Sequence, residues 1–177
     1  MKNIDKIAIT VIIFLAALSR IIPHPPNFTP IMAVGLLSGA FLKNNKFVFI
    51  IPICAMLLSD GILEYFYGYG IHATLPFVYC GILICTYLGT KLSSSSKFPK
   101  MMIYTFGASF LFFIVTNFGV WLYGYPKTIS GLISCYTLAI PFYRNALAGD
   151  LFYTGTIFGL YLLYKQLVSF IEPNVVK

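Results

Sequence analysis

Charge is scarce in this chain. Twelve of 177 residues are Lys or Arg and five are Asp or Glu, 10% in all, against about 25% in soluble domains. Apolar residues fill 59% of the positions, against about 45–50% in soluble domains. A soluble fold built from this material would lack the charges to cover its surface, so the composition points to a membrane protein. Basic clusters are also missing. The net charge is +7, but no adjacent basic residues are present to track phosphates, which excludes a nucleic-acid partner. The four cysteines, Cys54, Cys80, Cys85 and Cys135, form no C-x-x-C pair and no Cys/His zinc spacing. They read as small apolar packing residues. There is no G-x-S-x-G, no H-E-x-x-H and no motif that calls for a cofactor.

What is abundant is long apolar sequence. A bilayer-crossing helix needs about 20 mostly apolar residues. Candidates lie at 4–22, 30–42, 47–65, 72–91, 101–123 and 145–166. They are too long for barrel strands, which alternate over about 10 residues, and backbone in lipid must pair internally, so helices are expected. The segment 128–142 is only moderately apolar and ends at Pro141, as an interfacial helix would. Met1-Lys2 ahead of the apolar Ile7–Leu18 run also fits a signal peptide, with Ala17-Leu18-Ser19 as cleavage site. Five further apolar stretches make an uncleaved first span the simpler expectation.

The expected fold is therefore an all-α integral-membrane domain over residues 1–177. It is a six-transmembrane-helix bundle with an extra interfacial helix in the outer loop between helices 5 and 6. Lysines orient it. With a cytoplasmic N-terminus the inside holds Lys2, Lys6, Lys43, Lys46, Lys91, Lys97, Lys100, Lys165 and Lys177, and the outside holds Arg20, Lys127 and Arg144. Both termini are then cytoplasmic, in a bacterial inner membrane. The Ser93–Ser96 tract reads as an inner loop. Trp121, Tyr123, Tyr125 and the Tyr65–Tyr69 aromatics fit an interfacial belt. Gly35-x-x-x-Gly39 and Gly155-x-x-x-Gly159 permit close helix approach.

This topology gathers most of the acids, histidines and arginines at one end. Arg20, His24, Asp60, Glu64, His72, Lys127, Arg144 and Asp150 fall in the outer half, whereas Asp5 and Glu172 lie near the termini. From Thr29 to Leu42 the second span rises only about 21 Å at 1.5 Å per residue, short of a hydrocarbon core of about 30 Å. Thr29 suits an N-cap and Pro30 a first helical position. The preceding loop, IPHPPNF, must then descend into the protein as a stiff wall or lid of an outward cavity. Asp60 and Glu64 share one helix face and need a cation, a proton or a basic partner. Arg20 and Arg144 are candidates. Asn117 is one turn from Trp121, so amide and indole can face one space. Asn145 either caps a helix or, with Asp150, joins the site. Structural ion pairing among the outer charges is the competing account. His24, His72, Asp60 and Glu64 have the donor types for a transition metal, at a spacing that does not demand one.

The strings SRIIPHPPNFTPIMAVGLLSGAF, LLSD and FFIVTNFGVWLYGYPKTISGLISCYTLAIPFYRNALAGDLFYTGTIFG resemble an uncharacterised family of small bacterial membrane proteins classed with transport proteins. That family in turn resembles the substrate-binding S components of energy-coupling-factor vitamin transporters, and the solitary cobalamin-uptake relatives of those components. The resemblance implies a six-helix bundle with an outward pocket for a vitamin-like or metal-containing solute. It also implies an energising transporter module as partner. Its motif positions fall on His24, Pro25, Pro26, Asn27, Asp60, Asn117, Trp121, Arg144, Asn145 and Asp150. The Ala-x-x-x-Ala pattern by which S components dock to a shared module is absent here: Ala8 is followed four later by Ile12, and Ala16 by Arg20.

The expected function is a transport protein or substrate-capture subunit that sits in the lipid bilayer and binds a small solute. The expected solute-binding residues are His24, Asn27, Asp60, Glu64, Asn117, Trp121, Arg144, Asn145 and Asp150. Arg20, Arg144 and the helix start at Thr29 favour an anionic or zwitterionic group, with aromatics for a ring. Two alternatives stay open. One is an integral-membrane enzyme using Asp60, Glu64, His24 and His72 for acid–base or metal chemistry. The other is a non-catalytic subunit that packs against a partner.

Overall fold

The computed structural model describes residues 3–93 and 96–171. Lys2, Glu172, Lys177 and two residues of the serine tract, Ser94 and Ser95, lie outside the described residues, as do the side chains of Asp5, Lys6 and Lys165. Among the described residues there are six α-helices, one 3-10 turn and no strand. They are α1 (Asn3–Leu18), the turn Ser19–Ile21, α2 (Ile31–Leu42), α3 (Ile50–Tyr67), α4 (Leu75–Thr90), α5 (Phe98–Gly124) and α6 (Ile129–Ile171). Three helices are long and apolar enough to cross a membrane: α3, α5 and α6 over Ile129–Tyr164. The outer faces of the last two are apolar; Ile103, Phe110, Phe152 and Leu160 are each more than half exposed. Such a surface suits acyl chains better than water.

α2 occupies the middle. It is apolar all round, and every residue from Met32 to Leu42 is buried. A helix with no polar face must be enclosed, and α2 touches each of the other five helices. Its closest neighbour is α4. A Cβ on Gly39 would run into the carbonyl oxygen of Thr86, and one on Gly89 into that of Leu36. Backbone therefore lies on backbone at this crossing. The second glycine pair does nothing comparable: no atom comes within 4 Å of a Cβ placed on Gly159.

α6 departs from the sequence expectation. In place of an interfacial helix over 128–142 and a separate span from residue 145, one helix of 43 residues runs through Pro141. Proline removes the hydrogen bond to the carbonyl of Thr137. Lateral packing keeps the helix going. α5 is 27 residues long and offers partners to the segment before Pro141: Tyr136 Oη donates to the Ile114 carbonyl at 2.7 Å and Cys135 Sγ to the Asn117 carbonyl at 3.6 Å. Just beyond the proline, Tyr143 packs on Phe113 with ring centroids 4.6 Å apart.

Candidate functional site

The proline-rich stretch between the 3-10 turn and α2 folds as a reverse turn. Phe28 N–H donates to the Pro25 carbonyl at 3.0 Å, and Asn27 has φ 62°. Proline at the second position and a positive φ at the third are the requirements of a type II turn, and asparagine is the non-glycine residue that best tolerates the latter. The turn is docked on α6. Asn145 Nδ2 donates to the Pro26 carbonyl at 3.1 Å. Phe28 sits beside Phe152 and Tyr153, at centroid distances of 5.7 and 5.8 Å. Gly149 faces the Phe28–Thr29 backbone closely; a Cβ there would stand 3.1 Å from the Thr29 nitrogen. The start of α2 differs from expectation by one residue: Pro30 stands at the N-cap and no side chain caps the helix. Thr29 is left on the cavity wall.

Arg20, in the 3-10 turn, reaches across to α3. Its Nη1 lies 2.5 Å from Asp60 Oδ1 and donates to Ser59 Oγ at 2.8 Å. Tyr79 Oη on α4 donates to the other carboxylate oxygen, Oδ2, at 2.5 Å. Asp60 is therefore buried with both oxygens occupied, and it ties the end of α1 to α3 and α4. Glu64, one turn further on, has a different task. Its Oε2 accepts the Ile71 N–H at 2.9 Å and so clasps the loop that leaves α3 through the left-handed Gly68, φ 70°. His72 Nδ1 and Thr74 Oγ1 are 2.8 Å apart in the same loop.

Between these elements is a cavity of about 590 Å³, within the range of small-molecule sites. The proline loop supplies His24, Asn27 and Thr29, α5 supplies Ser109, Thr116 and Asn117, and α6 supplies Tyr143 and Asp150. Arg20 and His72 also border it. Asp150 is 4% exposed. It accepts one hydrogen bond, from Ser109 Oγ to Oδ2 at 2.7 Å. Among the described residues no ion pair includes it. His24 Nδ1 is 3.1 Å from the Pro25 carbonyl. A carbonyl only accepts, so Nδ1 carries the proton of that bond. In the neutral ring Nε2 is then a bare acceptor, and it is buried without a partner.

Of the residues singled out in the sequence, His24, Asn27, Asn117 and Asp150 border this cavity. Asp60 and Glu64 lie behind it in the two clasps. Asn145 holds the proline turn. Trp121 is turned away from Asn117: its indole N–H donates to the Pro126 carbonyl at 3.0 Å, while Asn117 Nδ2 donates to the Phe113 carbonyl at 2.8 Å. Lys127 Nζ donates to the carbonyls of Trp121 and Tyr125 at the end of α5. Arg144 is exposed and does not border the cavity.

Ser109, Thr116 and Tyr79 are not among the residues that the sequence singles out. The first two were detectable, because Ser109, Thr116 and Asn117 recur at seven- and eight-residue spacing along a mostly apolar helix and so share a face. Nothing distinguishes Tyr79 from the other twelve of 13 tyrosines. Among the described residues, no three His, Cys, Asp or Glu side chains are placed to hold a metal ion.

A model of a family of unknown function, DUF6580, matches residues 1–172. The chain belongs to DUF6580. No curated protein matches it, and no solved structure does. The family match spans the proline turn, the Arg20–Asp60 pair and the Asp150 cavity of this DUF6580 chain.

Proposed function

We propose that this DUF6580 chain is an integral-membrane protein that captures a small solute in the cavity between the proline turn, α5 and α6. It would work as a transport protein or as its substrate-capture subunit. The observation that carries this reading is the pairing of a cavity of about 590 Å³ with a buried carboxylate, Asp150, committed to a single hydrogen bond. Buried polar groups are normally fully satisfied. A buried carboxylate with one hydrogen bond, on the wall of a void, fits a ligand that completes it.

In this reading α1 to α6 are six spans, with the short α1, α2 and α4 completed by their flanking turns. Both termini are cytoplasmic, by the lysine distribution, in a bacterial inner membrane. The cavity opens to the opposite side. The six-helix likeness to S components belongs to the same reading, with an energising module as partner.

The test is native mass spectrometry of the detergent-purified chain, alongside thermal unfolding with vitamins, nucleobases and metal salts. A ligand at 100 times its Kd stabilises by about 2.7 kcal/mol. The expected result is a co-purified small molecule or a saturable rise in Tm. A chain that carries no small molecule and shifts with no sample would refute solute capture.

A further inference from the structure

The charges around the cavity do not favour the anionic ligand that the sequence suggested. Two arginines and the helix start at Thr29 carried that expectation, and Thr29 and Ile31 still border the cavity. Arg20 is paired with Asp60 by a direct ion pair and hydrogen-bonds Ser59, so its charge is balanced within the protein. Arg144 is exposed and lies off the cavity wall. What remains is Asp150, a carboxylate 4% exposed, with Ser109 as its hydrogen-bond donor and no basic group paired with it among the described residues.

The wall also carries acceptors beside Asp150, among donors such as the Tyr143 and Thr29 hydroxyls. Asn117 commits one of its two amide N–H groups to the Phe113 carbonyl, leaving the amide oxygen and one N–H for further partners. Thr116 donates to the Phe112 carbonyl at 2.8 Å, leaving its oxygen lone pairs. The aromatic wall has the matching sign. Phe113 and Tyr143 pack at 4.6 Å, and both border the cavity. Ring faces are negative and attract cations.

Resting on the solute-capture reading, we infer that the cavity selects an organic cation. Its charged N–H would bind Asp150, a further N–H would meet the Asn117 amide oxygen, and its apolar body would lie against Phe113 and Tyr143. A protonated amine or a cationic nitrogen heterocycle has this chemistry.

The experiment is a thermal-shift panel on the full chain in detergent, with three matched arms: phenethylammonium, thiamine and agmatine as cations; 2-phenylethanol and nicotinamide as neutral solutes; 3-phenylpropionate and nicotinate as anions. A fourth arm holds sodium, potassium, manganese and zinc chlorides. Native mass spectrometry of the same preparation identifies the charge class of anything that co-purifies. Stabilisation or co-purification confined to organic cations is expected. Binding should weaken about tenfold or more in Asp150→Asn, as expected for loss of a charge-assisted hydrogen bond, and stay unchanged in Arg144→Ala. If Asp150→Asn does not fold, Ser109→Ala provides the same comparison with a smaller loss. Stabilisation by neutral, anionic or inorganic samples, or cation binding that survives Asp150→Asn, overturns the inference and leaves solute capture standing. No shift in any arm together with no co-purified molecule overturns both.

Discussion

Arg20 Nη1 lies 2.5 Å from Asp60 Oδ1, across 40 positions of sequence. The pair joins the end of α1 to the middle of α3, and Tyr79 brings in α4 through the second carboxylate oxygen. Both charges are largely hidden, with side-chain exposures of 14% and 4%. Removing one partner strands the other, at a typical cost of about 3–5 kcal/mol. Arg20→Ala and Asp60→Ala should each lower stability by that amount in a denaturant titration of the detergent-solubilised chain. The double variant Arg20→Met/Asp60→Leu should recover most of the loss. A loss below about 1 kcal/mol in either single variant would mean the pair is not buried as described.

The α2–α4 crossing makes a sharper prediction. Gly39→Val places atoms where the Thr86 carbonyl stands, and the helices must separate along their whole contact. We expect failure to accumulate folded protein, or a drop in Tm large enough to read without fitting. Gly107 is the control. It lies mid-helix in α5, and a Cβ there meets nothing within 4 Å. Gly107→Ala should stabilise by about 0.5–1 kcal/mol, the usual difference between these residues inside a helix.

At the proline turn, the left-handed backbone of Asn27 separates substitutions by shape. Asn27→Gly should be almost neutral. Asn27→Val should cost more than about 1–2 kcal/mol, because a β-branched side chain adds to the ordinary left-handed penalty. Equal stabilities for the two variants, measured by chemical unfolding, would remove the type II turn from the account.

Phe28 fastens the same turn to α6 through Phe152 and Tyr153. Phe28→Ala should cost about 1–3 kcal/mol, the burial of one aromatic side chain. The loss should be local. Hydrogen exchange at the amides of Phe28 and Thr29, both bonded within the turn, should quicken, while the amides of α2 stay protected. Unchanged exchange at those two amides would show that Asn145 alone holds the loop.

The sequence revealed much of the helical content and part of the site. Apolar run length locates helices well, because lipid-facing and core positions are both apolar in such a chain. Pro141 misled for the opposite reason: a proline is a local stop signal, whereas the packing of Tyr136 and Tyr143 on α5 that carries the helix through it is tertiary. The proline loop was recognisable as a stiff element because proline restricts φ wherever it stands. The division of labour among the acids was not recognisable. Asp60, Glu64 and Asp150 look alike in a string of letters. They are set apart by Arg20, the Ile71 amide and Ser109, which are 40, 7 and 41 residues away.

The wholly enclosed α2 bears on how the molecule is made. Its twelve residues extend only about 18 Å, and no side of it is left for acyl chains. Such a segment has little reason to stay in a bilayer by itself. Its principal neighbour, α4, leaves the ribosome more than 30 residues after it. Biogenesis must therefore shelter α2 until α4 arrives, and a nascent chain truncated ahead of Leu75 would expose the seam that α4 normally closes.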